Sequence, residues 1–317
     1  MVSKVSFIIP HRGREEMLRQ TLDSIAAQKY DKRDIEVIVV TQNQSMTNDT
    51  VITLRNMAGK LIRAEESDTI SQMRNQGVEQ SSGEYLAFLD ADIHIESNWI
   101  VSMLSAMQEQ PSRVIVSAVQ SCPGQAPVLE KIRTELSNVC VDCNVEFLPG
   151  RNLFLRRSSF EKSGGFPAHL VTCEDYYFTQ KVAEQGQLYY TSRSNYIHLG
   201  EDKQFDLMFK KEIWRGQSNL HSLKGRKVPL SEIPSFLVPV WFALFATTFV
   251  VSFPFLSRFT STLLLLLALF PVGLYSWRLH QHSEGRLPLP AIVRFYSLYF
   301  PARFWGTLIG LFKIVKT

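Results

Sequence analysis

The chain has 317 residues, a formal net charge of +4 and a hydrophobic fraction of 45%. Its length allows one large α/β domain, or a smaller domain with an appendage, and its four cysteines exclude a disulfide-stabilised scaffold. The positive charge does not indicate nucleic acid, because the basic residues flank one apolar region. These residues are Lys203, Lys210, Lys211, Arg215, Lys224, Arg226 and Lys227 before it, and Arg278, Arg286, Arg294 and Arg303 after it.

The N-terminal part of the chain alternates between short apolar runs and segments with helical periodicity. Strands are predicted at residues 5–9, 35–40, 60–63 and 85–89, and helices at 15–28, 50–58 and 71–80. This alternation predicts a Rossmann-like, mostly parallel sheet with helices on both faces. In such sheets ligands bind at the carboxyl ends of the strands.

Two carboxylates, Asp90 and Asp92, follow the run 85–89 and are separated only by the small Ala91. At the carboxyl end of a strand both can face the ligand crevice. Mg²⁺ and Mn²⁺ bind through one or two carboxylates together with substrate phosphates, so this pattern indicates a metal-bridged diphosphate. From the pattern alone, an ordinary turn with an aspartate cap is the alternative.

Several short stretches, in their order and spacing, resemble the family 2 glycosyltransferases with the GT-A fold. They are Val5-Ser-Phe-Ile-Ile-Pro10, Ser71-Gln-Met-Arg-Asn-Gln-Gly77, Ser82-Gly-Glu-Tyr-Leu-Ala-Phe-Leu-Asp-Ala-Asp92, Gly150-Arg-Asn-Leu-Phe-Leu-Arg-Arg157, Gly164-Gly-Phe166 and Cys173-Glu-Asp-Tyr176. The resemblance extends to about residue 220 and implies an enzyme that uses a nucleotide sugar. It implies that Asp92 binds the metal and that Asp90 lies near the ribose and the metal.

Candidate nucleotide contacts lie in two connections. Arg74 and Asn75 precede the strand that ends at Asp90, and a guanidinium there suits a base or a phosphate. A solvated helix face is the alternative from the chemistry alone. The first strand-to-helix connection is the other usual place for nucleotide contacts, with a solvated basic turn as its alternative. It contains Pro10, His11, Arg12 and Arg14.

The identity of the base is less firmly implied. Where the resembling family has an aspartate pair that reads uracil, this chain has Thr41-Gln-Asn-Gln44. Gln42 offers a donor and an acceptor to a base, but the acid is absent. The resemblance therefore favours UDP as the nucleotide and leaves other bases open.

The pair Glu174 and Asp175 precedes a predicted helix, where acids are common caps. In the resembling family this pair lies on the acceptor side of the sugar donor, and its aspartate is the general base. The resemblance thus implies Asp175 as the base, with Glu174 as the second choice, and an inverting single displacement. It also implies His198 as a further metal ligand, with a structural histidine as the alternative.

Two apolar runs, 236–256 and 259–277, are each long enough to span a bilayer core of about 30 Å. Their short separation predicts an antiparallel hairpin with both ends on the basic, cytoplasmic side. Segments 205–217 and 291–316 are predicted to be amphipathic helices at the membrane surface, since arginines make a third span costly. The predicted division is a catalytic domain at 1–203, an interfacial segment at 204–232, a hairpin at 233–278 and a second interfacial segment at 279–317.

The N-terminus runs directly into the first predicted strand without a signal-peptide core. We therefore expect the catalytic domain on the cytoplasmic face of the cell (inner) membrane, with reduced thiols. Cys140 and Cys143 form a single CxxC pattern without a second pair, which favours ordinary cysteines over a zinc site.

The sequence as a whole predicts a membrane-anchored, metal-dependent glycosyltransferase that uses Mn²⁺ or Mg²⁺ and a nucleotide-diphosphate sugar. Membrane anchoring favours a lipid-linked saccharide or other membrane lipid as the acceptor, as in synthesis of a cell-surface polysaccharide or glycolipid. Two alternatives stay open. One is transfer to polyprenyl phosphate, and the other is a non-catalytic nucleotide-sugar-binding membrane scaffold.

Overall fold

A computed structural model describes residues 3–220, 223, 228 and 230–316. Lys224, Arg226 and Lys227 of the basic flank lie outside these residues. The strands are β1 Val5–His11, β2 Ile35–Thr41, β3 Lys60–Arg63, β4 Tyr85–Leu89, β5 Ile93–Ile95, β6 Arg113–Ser121, β7 Cys143–Val145, β8 Asn152–Arg156 and β9 Gln187–His198. The helices are α1 Glu15–Ala26, α2 Asn48–Asn56, α3 Ile70–Glu79, α4 Trp99–Glu109, α5 Val128–Ser137, α6 Arg157–Ser163, α7 Glu174–Ala183, α8 Phe205–Gly216, α9 Ile233–Ser252, α10 Arg258–His282 and α11 Leu289–Lys316.

The strands form one mixed sheet in the order β3-β2-β1-β4-β8-β6-β9-β5, with β7 also paired to β9. The first four strands in this order are parallel, β8 is antiparallel to both neighbours, and β6 and β9 are parallel to each other. The predicted α/β fold with a mostly parallel N-terminal sheet is thus confirmed. All four predicted strands are present, and their carboxyl ends meet at one edge.

Alternate side chains of β1 belong to two different cores. Phe7 packs with Trp99 and Phe154, whereas its neighbour Ile8 packs with Phe88 and the helices behind it. Both faces of the sheet are therefore covered, as the continuous apolar run of β1 requires. The helix α3 begins at a capping box. The Thr69 hydroxyl accepts a hydrogen bond from the backbone N–H of Gln72, and the side-chain oxygen of Gln72 accepts one from the backbone N–H of Thr69.

The chain divides into two compact units, one made of residues 1–123 and 140–200 and the other of 124–139 and 201–317. The first unit contains the sheet. The second is helical and includes α5, which the sequence did not assign to it. Leu129 and Ile132 of α5 are buried in the same apolar cluster as Phe295 and Phe300 of α11.

Within the helical unit, α9 and α10 are long and apolar enough to cross a membrane, by length and composition. Only 6% of the apolar window of α9 and 28% of that of α10 is buried, which differs from the core helices of a soluble protein. The two helices pack together, and the Trp241 indole donates to the Leu267 carbonyl at 2.9 Å. The predicted pair of apolar helices is present, with bounds slightly shifted from the sequence prediction.

The predicted amphipathic segments form α8 and α11, and these two helices contact each other closely. Gly216 and Gly306 meet at the crossing, where a Cβ on Gly306 would lie 2.3 Å from the Ile213 carbonyl oxygen. The absence of side chains at Gly216 and Gly306 therefore lets the two helix backbones approach each other closely. Near this crossing Arg133, Arg215 and Arg303 surround Glu212 and, although burial acts in the opposite direction, lower its pKa to about 2.

Cys140 and Cys143 are joined in a disulfide at the start of β7. The structure places these two sulfurs as a disulfide, whereas the sequence analysis expects reduced thiols. The pairing joins cysteines that are close in sequence, with a Cα to Cα distance of 6.1 Å, so it constrains only the turn that leads into the strand.

Candidate active site

The centre of the site is the guanidinium of Arg74, which the sheet unit buries almost completely. Its Nη1 donates to Oε1 of Glu174 at 3.0 Å, and its Nη2 donates to Oδ1 of Asp90 at 2.9 Å. The ring of Phe166 lies against the guanidinium, with the central carbon 4.8 Å from the ring centroid. Arg74 therefore joins the Asp90 motif at the end of β4 to the Glu174 motif at the start of α7.

The backbone around Gly150 closes this cluster. Its N–H donates to Oδ2 of Asp175 at 3.1 Å, while the Tyr176 N–H donates to Oδ1 of the same carboxylate at 2.8 Å. A Cβ on Gly150 would lie 2.9 Å from the Asp175 Cβ and 3.0 Å from an Arg74 nitrogen. Only glycine fits this close approach, which holds Asp175 beside Arg74.

The environment of Glu174 changes its acidity. Burial raises its pKa to about 7, the neighbouring Asp175 carboxylate adds to the rise, and the Arg74 guanidinium opposes it. Glu174 is almost fully buried, whereas Asp175 is only partly buried. The two acids thus differ in role: Glu174 is held inside by Arg74, and Asp175 lies nearer to solvent.

Asp92 belongs to a second cluster. It is 6% exposed, and its Oδ2 accepts from Arg14 at 3.0 Å while its Oδ1 lies 3.5 Å from Nε2 of His198. The strand pairing explains this neighbourhood, because Ile93 pairs with His198 and the Leu199 N–H donates to the Asp92 carbonyl at 2.8 Å. The structure thus brings together two residues that the sequence proposed as metal ligands.

The donor set at Asp92 fits a divalent cation that is shared with a substrate. Among the residues that the structure describes, no three histidine, cysteine or acidic side chains form a complete metal-binding group. One carboxylate and one imidazole side by side leave the remaining positions to diphosphate oxygens and water, as is usual for Mg²⁺ and Mn²⁺. Asp90 is turned toward Arg74, so its part in a metal shell stays a prediction.

The side chains proposed to contact the nucleotide do not form one cluster. Asn75 exchanges two hydrogen bonds with the Phe166 backbone at 2.9 and 3.0 Å, and Arg74 is held by two acids. These groups are hydrogen-bonded within the fold, and their proposed direct contact with the nucleotide stays a prediction. Their bonds hold the loop before α7 and the two acidic motifs in place.

At the other nucleotide position, the Gln42 amide nitrogen lies 2.9 to 3.1 Å from three carbonyl oxygens of residues 65–68. It holds that turn in place, and its proposed contact with a base stays a prediction. Pro10 and His11 are buried in β1, so their side chains do not line an open crevice. Arg12 is exposed and remains a candidate contact.

Three contributors to the site had no assigned role in the sequence analysis: Phe166, Gly150 and Gly200. Phe166 and Gly150 lie in stretches quoted for the resemblance, which did not indicate what these residues do, and Gly200 lies two residues after His198. A Cβ on Gly200 would lie 2.1 Å from Oδ2 of Asp92, which no local pattern in the sequence reveals.

The mixed α/β sheet has one acidic motif at the end of β4, joined through Arg74 to a second at the start of α7, and its fold is that of the GT-A glycosyltransferases. The family described as Glycosyl transferase family 2 matches residues 6–164, and the chain belongs to this family. Glycosyltransferase AglE of Haloferax volcanii is 26% identical over 250 residues, which are 75% of this chain and 79% of AglE.

Two solved structures share the fold. The mannosyltransferase PcManGT from Pyrobaculum calidifontis, in complex with GDP-Man and Mn²⁺, has a TM-score of 0.70 at 16% identity, covering 99% of this chain and 88% of its own. Residues 1–349 of TarS from S. aureus, in complex with UDP-GlcNAc, have a TM-score of 0.51 at 15% identity, covering 98% of this chain and 92% of theirs. Both similarities concern the fold.

Proposed function

We propose that the protein transfers a sugar from a nucleotide-diphosphate sugar to an acceptor hydroxyl, with inversion in a single displacement. The observation that supports this most strongly is the Arg74 bridge between Asp90 and Glu174. It brings an acidic motif suited to the donor diphosphate next to one suited to the acceptor. A scaffold that only binds a nucleotide sugar has no need of the second motif.

Asp175 is the proposed general base. The N–H groups of Gly150 and Tyr176 each donate to one of its oxygens and fix its orientation. A carboxylate has about four lone-pair positions, so acceptance of two bonds leaves capacity for the acceptor hydroxyl. The proton of the acceptor hydroxyl passes to Asp175 as the hydroxyl oxygen attacks the anomeric carbon. Glu174 is the proposed positioning residue, because Arg74 holds it inside.

Asp92 and His198 are the residues that would hold Mn²⁺ or Mg²⁺. When bound, the cation supplies charge stabilisation to the departing nucleoside diphosphate. The 3.5 Å separation of the two side chains supports this assignment, as does the burial of Asp92.

UDP is the proposed nucleotide, and GDP is the main alternative, since the two neighbours with nucleotide sugars carry one of each. A thermal-shift series with UDP, GDP and their sugars, each with and without Mn²⁺, tests this. The true nucleotide raises the melting temperature in a concentration-dependent way, because it binds only the folded state.

We propose that the acceptor is lipid-linked and that the catalytic unit faces the cytoplasm at the cell (inner) membrane. The exposed apolar surfaces of α9 and α10 and the basic residues around them support this assignment. Transfer of radiolabelled sugar into an organic-solvent extract of membranes is the expected result. Transfer only to soluble saccharides would contradict it.

The decisive experiment is the substitution Asp175→Asn in the full chain. We expect a loss of turnover of about 10²-fold or more with nucleotide binding retained, since the base contribution is removed. Asp23→Asn on the exposed face of α1 is the matched control, and it leaves turnover within about twofold of wild type. A mild effect of Asp175→Asn indicates a phosphate acceptor such as polyprenyl phosphate, which is already an anion.

A further inference from the structure

We propose that Arg14 is a displaceable counter-ion of Asp92. In the donor-free enzyme its guanidinium occupies the position that a divalent cation needs, and on donor binding it moves from Asp92 to the diphosphate. This inference rests on the proposed nucleotide-sugar function, and it adds a residue that controls when the cation binds.

The first observation is the contact itself. Nη2 of Arg14 lies 3.0 Å from Oδ2 of Asp92, while His198 faces the other carboxylate oxygen. A cation that binds Asp92 must therefore compete with Arg14 for Oδ2. A buried carboxylate without a positive partner raises the free energy of the fold. Arg14 supplies such a partner in the absence of substrate.

The second observation is the difference in burial between the partners. The side chain of Asp92 is 9% exposed, and that of Arg14 is 60% exposed. The carboxylate is fixed in the fold, but the arginine reaches it from solvent. An exposed arginine loses little when its ion pair breaks, so Arg14 is able to leave at small cost once a cation replaces it.

The third observation is the backbone of Arg14. It has φ 28 and ψ 54, follows Gly13 with φ 69, and precedes α1 without a side-chain capping bond. A left-handed conformation is unfavourable for a residue with a side chain, and such strain persists where the surroundings impose it. The first strand-to-helix connection thus directs Arg14 toward Asp92 at the expense of an ordinary helix start.

The fourth observation concerns the backbone of Gly200, which lies beside the ion pair. A Cβ on Gly200 would lie 2.1 Å from Oδ2 of Asp92 and 2.5 Å from Nη1 of Arg14. The backbone of Gly200 thus lies directly against both side chains, and any Cβ at this position would displace them.

The chemistry of the donor completes the argument. A nucleoside diphosphate brings phosphate oxygens for the cation and for a guanidinium, whose planar fork suits phosphate. A bare cation displaces Arg14 without compensation, whereas cation and diphosphate together give Arg14 a new partner. Cation and donor are thus expected to bind with positive coupling, each tightening the other.

The test measures Mn²⁺ binding to the full chain in detergent, by electron paramagnetic resonance of free Mn²⁺. Wild type, Arg14→Ala and Arg14→Lys are compared, with Arg55→Ala on the exposed face of α2 as a control of equal charge change. Mn²⁺ is added alone and then with UDP or GDP. Unchanged thermal melting confirms that each variant is folded.

We expect Arg14→Ala to bind Mn²⁺ alone about tenfold more tightly than wild type, and to lose most of the tightening that the nucleotide produces. Arg14→Lys keeps the charge without the fork and gives an intermediate result. Arg55→Ala stays within about threefold of wild type for Mn²⁺ alone, because its charge lies outside the site.

Equal Mn²⁺ affinity in wild type and Arg14→Ala, with coupling to the nucleotide intact in both, overturns the counter-ion role and leaves the proposed function standing. Absence of Mn²⁺ and nucleotide binding in wild type overturns both proposals. Arg14→Lys remains the deciding comparison if Arg14→Ala does not fold.

Discussion

Arg74 and Glu174 form a buried ion pair of 3.0 Å between residues that are 100 positions apart in the sequence. The same guanidinium binds Asp90, so one cation balances two acidic motifs on different elements. The pair orders the start of α7 relative to the end of β4. The spatial relationship of the two proposed halves of the site depends on it.

Replacement of Arg74 by alanine leaves Glu174 and Asp90 without their cation. At pH 8, where Glu174 and Asp90 are both ionised, removal of the guanidinium strands buried charge, and we expect a loss of about 3–5 kcal/mol of stability together with activity. Urea unfolding of the sheet unit, followed by near-ultraviolet circular dichroism, measures the change. Arg55→Ala on the exposed face of α2 is the control, with an expected effect within about 0.5 kcal/mol.

A loss below about 1 kcal/mol for Arg74→Ala would contradict the proposed role of the bridge. Arg74→Lys separates charge from geometry. Lysine keeps the charge but lacks the fork that reaches two carboxylates, so we expect partial recovery of stability and little recovery of turnover.

The acidity of Glu174 predicts a pH dependence of stability. Its pKa in the folded protein is raised to about 7 from an ordinary value of 4.5. The protonated form is therefore favoured by folding. The contribution is fully present below pH 4.5, falls as the pH rises, and is lost above about pH 7, with a size of about 3 kcal/mol.

Glu174→Gln tests this dependence because glutamine stays neutral at every pH. The unfolding free energy of wild type, minus that of the variant, is expected to fall between pH 4.5 and pH 8. Glu16→Gln is the control: the hydrogen bond from Arg19 lowers the pKa of Glu16, so its stability difference changes below pH 4.5 and stays nearly flat between pH 4.5 and pH 8. A flat difference for Glu174→Gln would show that the acid is ionised throughout this range.

Gly200 gives a prediction for the Asp92 cluster. The Cβ of Gly200→Ala would lie 2.1 Å from Oδ2 of Asp92, so the carboxylate must move. We expect weaker Mn²⁺ binding and a loss of turnover of about tenfold or more, since a shift of about 1 Å near reacting groups is costly. Gly124→Ala is the matched control, because no atom lies within 4 Å of its Cβ. Equal Mn²⁺ affinity in both variants would separate Gly200 from the cation.

The sheet could be predicted from the sequence because each strand is a local apolar run. The runs at 60–63 and 85–89 coincide with β3 and β4, and the acids after β4 lie at the predicted edge. Local composition also revealed α9 and α10. These features depend on residues that are close together in the chain.

The contacts that Arg74, Asn75 and Gln42 make within the fold could not be predicted in the same way. Each side chain is suited to a nucleotide by its chemistry, and whether the fold itself uses that chemistry depends on distant partners. Phe166 and Glu174 become neighbours of α3 only in the folded chain. For the same reason, the amphipathic pattern of α5 indicates an apolar face without indicating the unit that covers it.

The crossing of α8 and α11 predicts that Gly306 stabilises the helical unit. Its Cβ would lie 2.3 Å from the Ile213 carbonyl oxygen and 2.9 Å from the Cα of Gly216. In Gly306→Val the two helices must separate, and we expect a loss of about 1–3 kcal/mol through overpacking. Gly273→Val in α10 is the control, since no atom lies within 4 Å of its Cβ and only helix propensity changes. Thermal unfolding in detergent micelles compares the variants, and an equal shift for both would mean that the close crossing does not stabilise the unit.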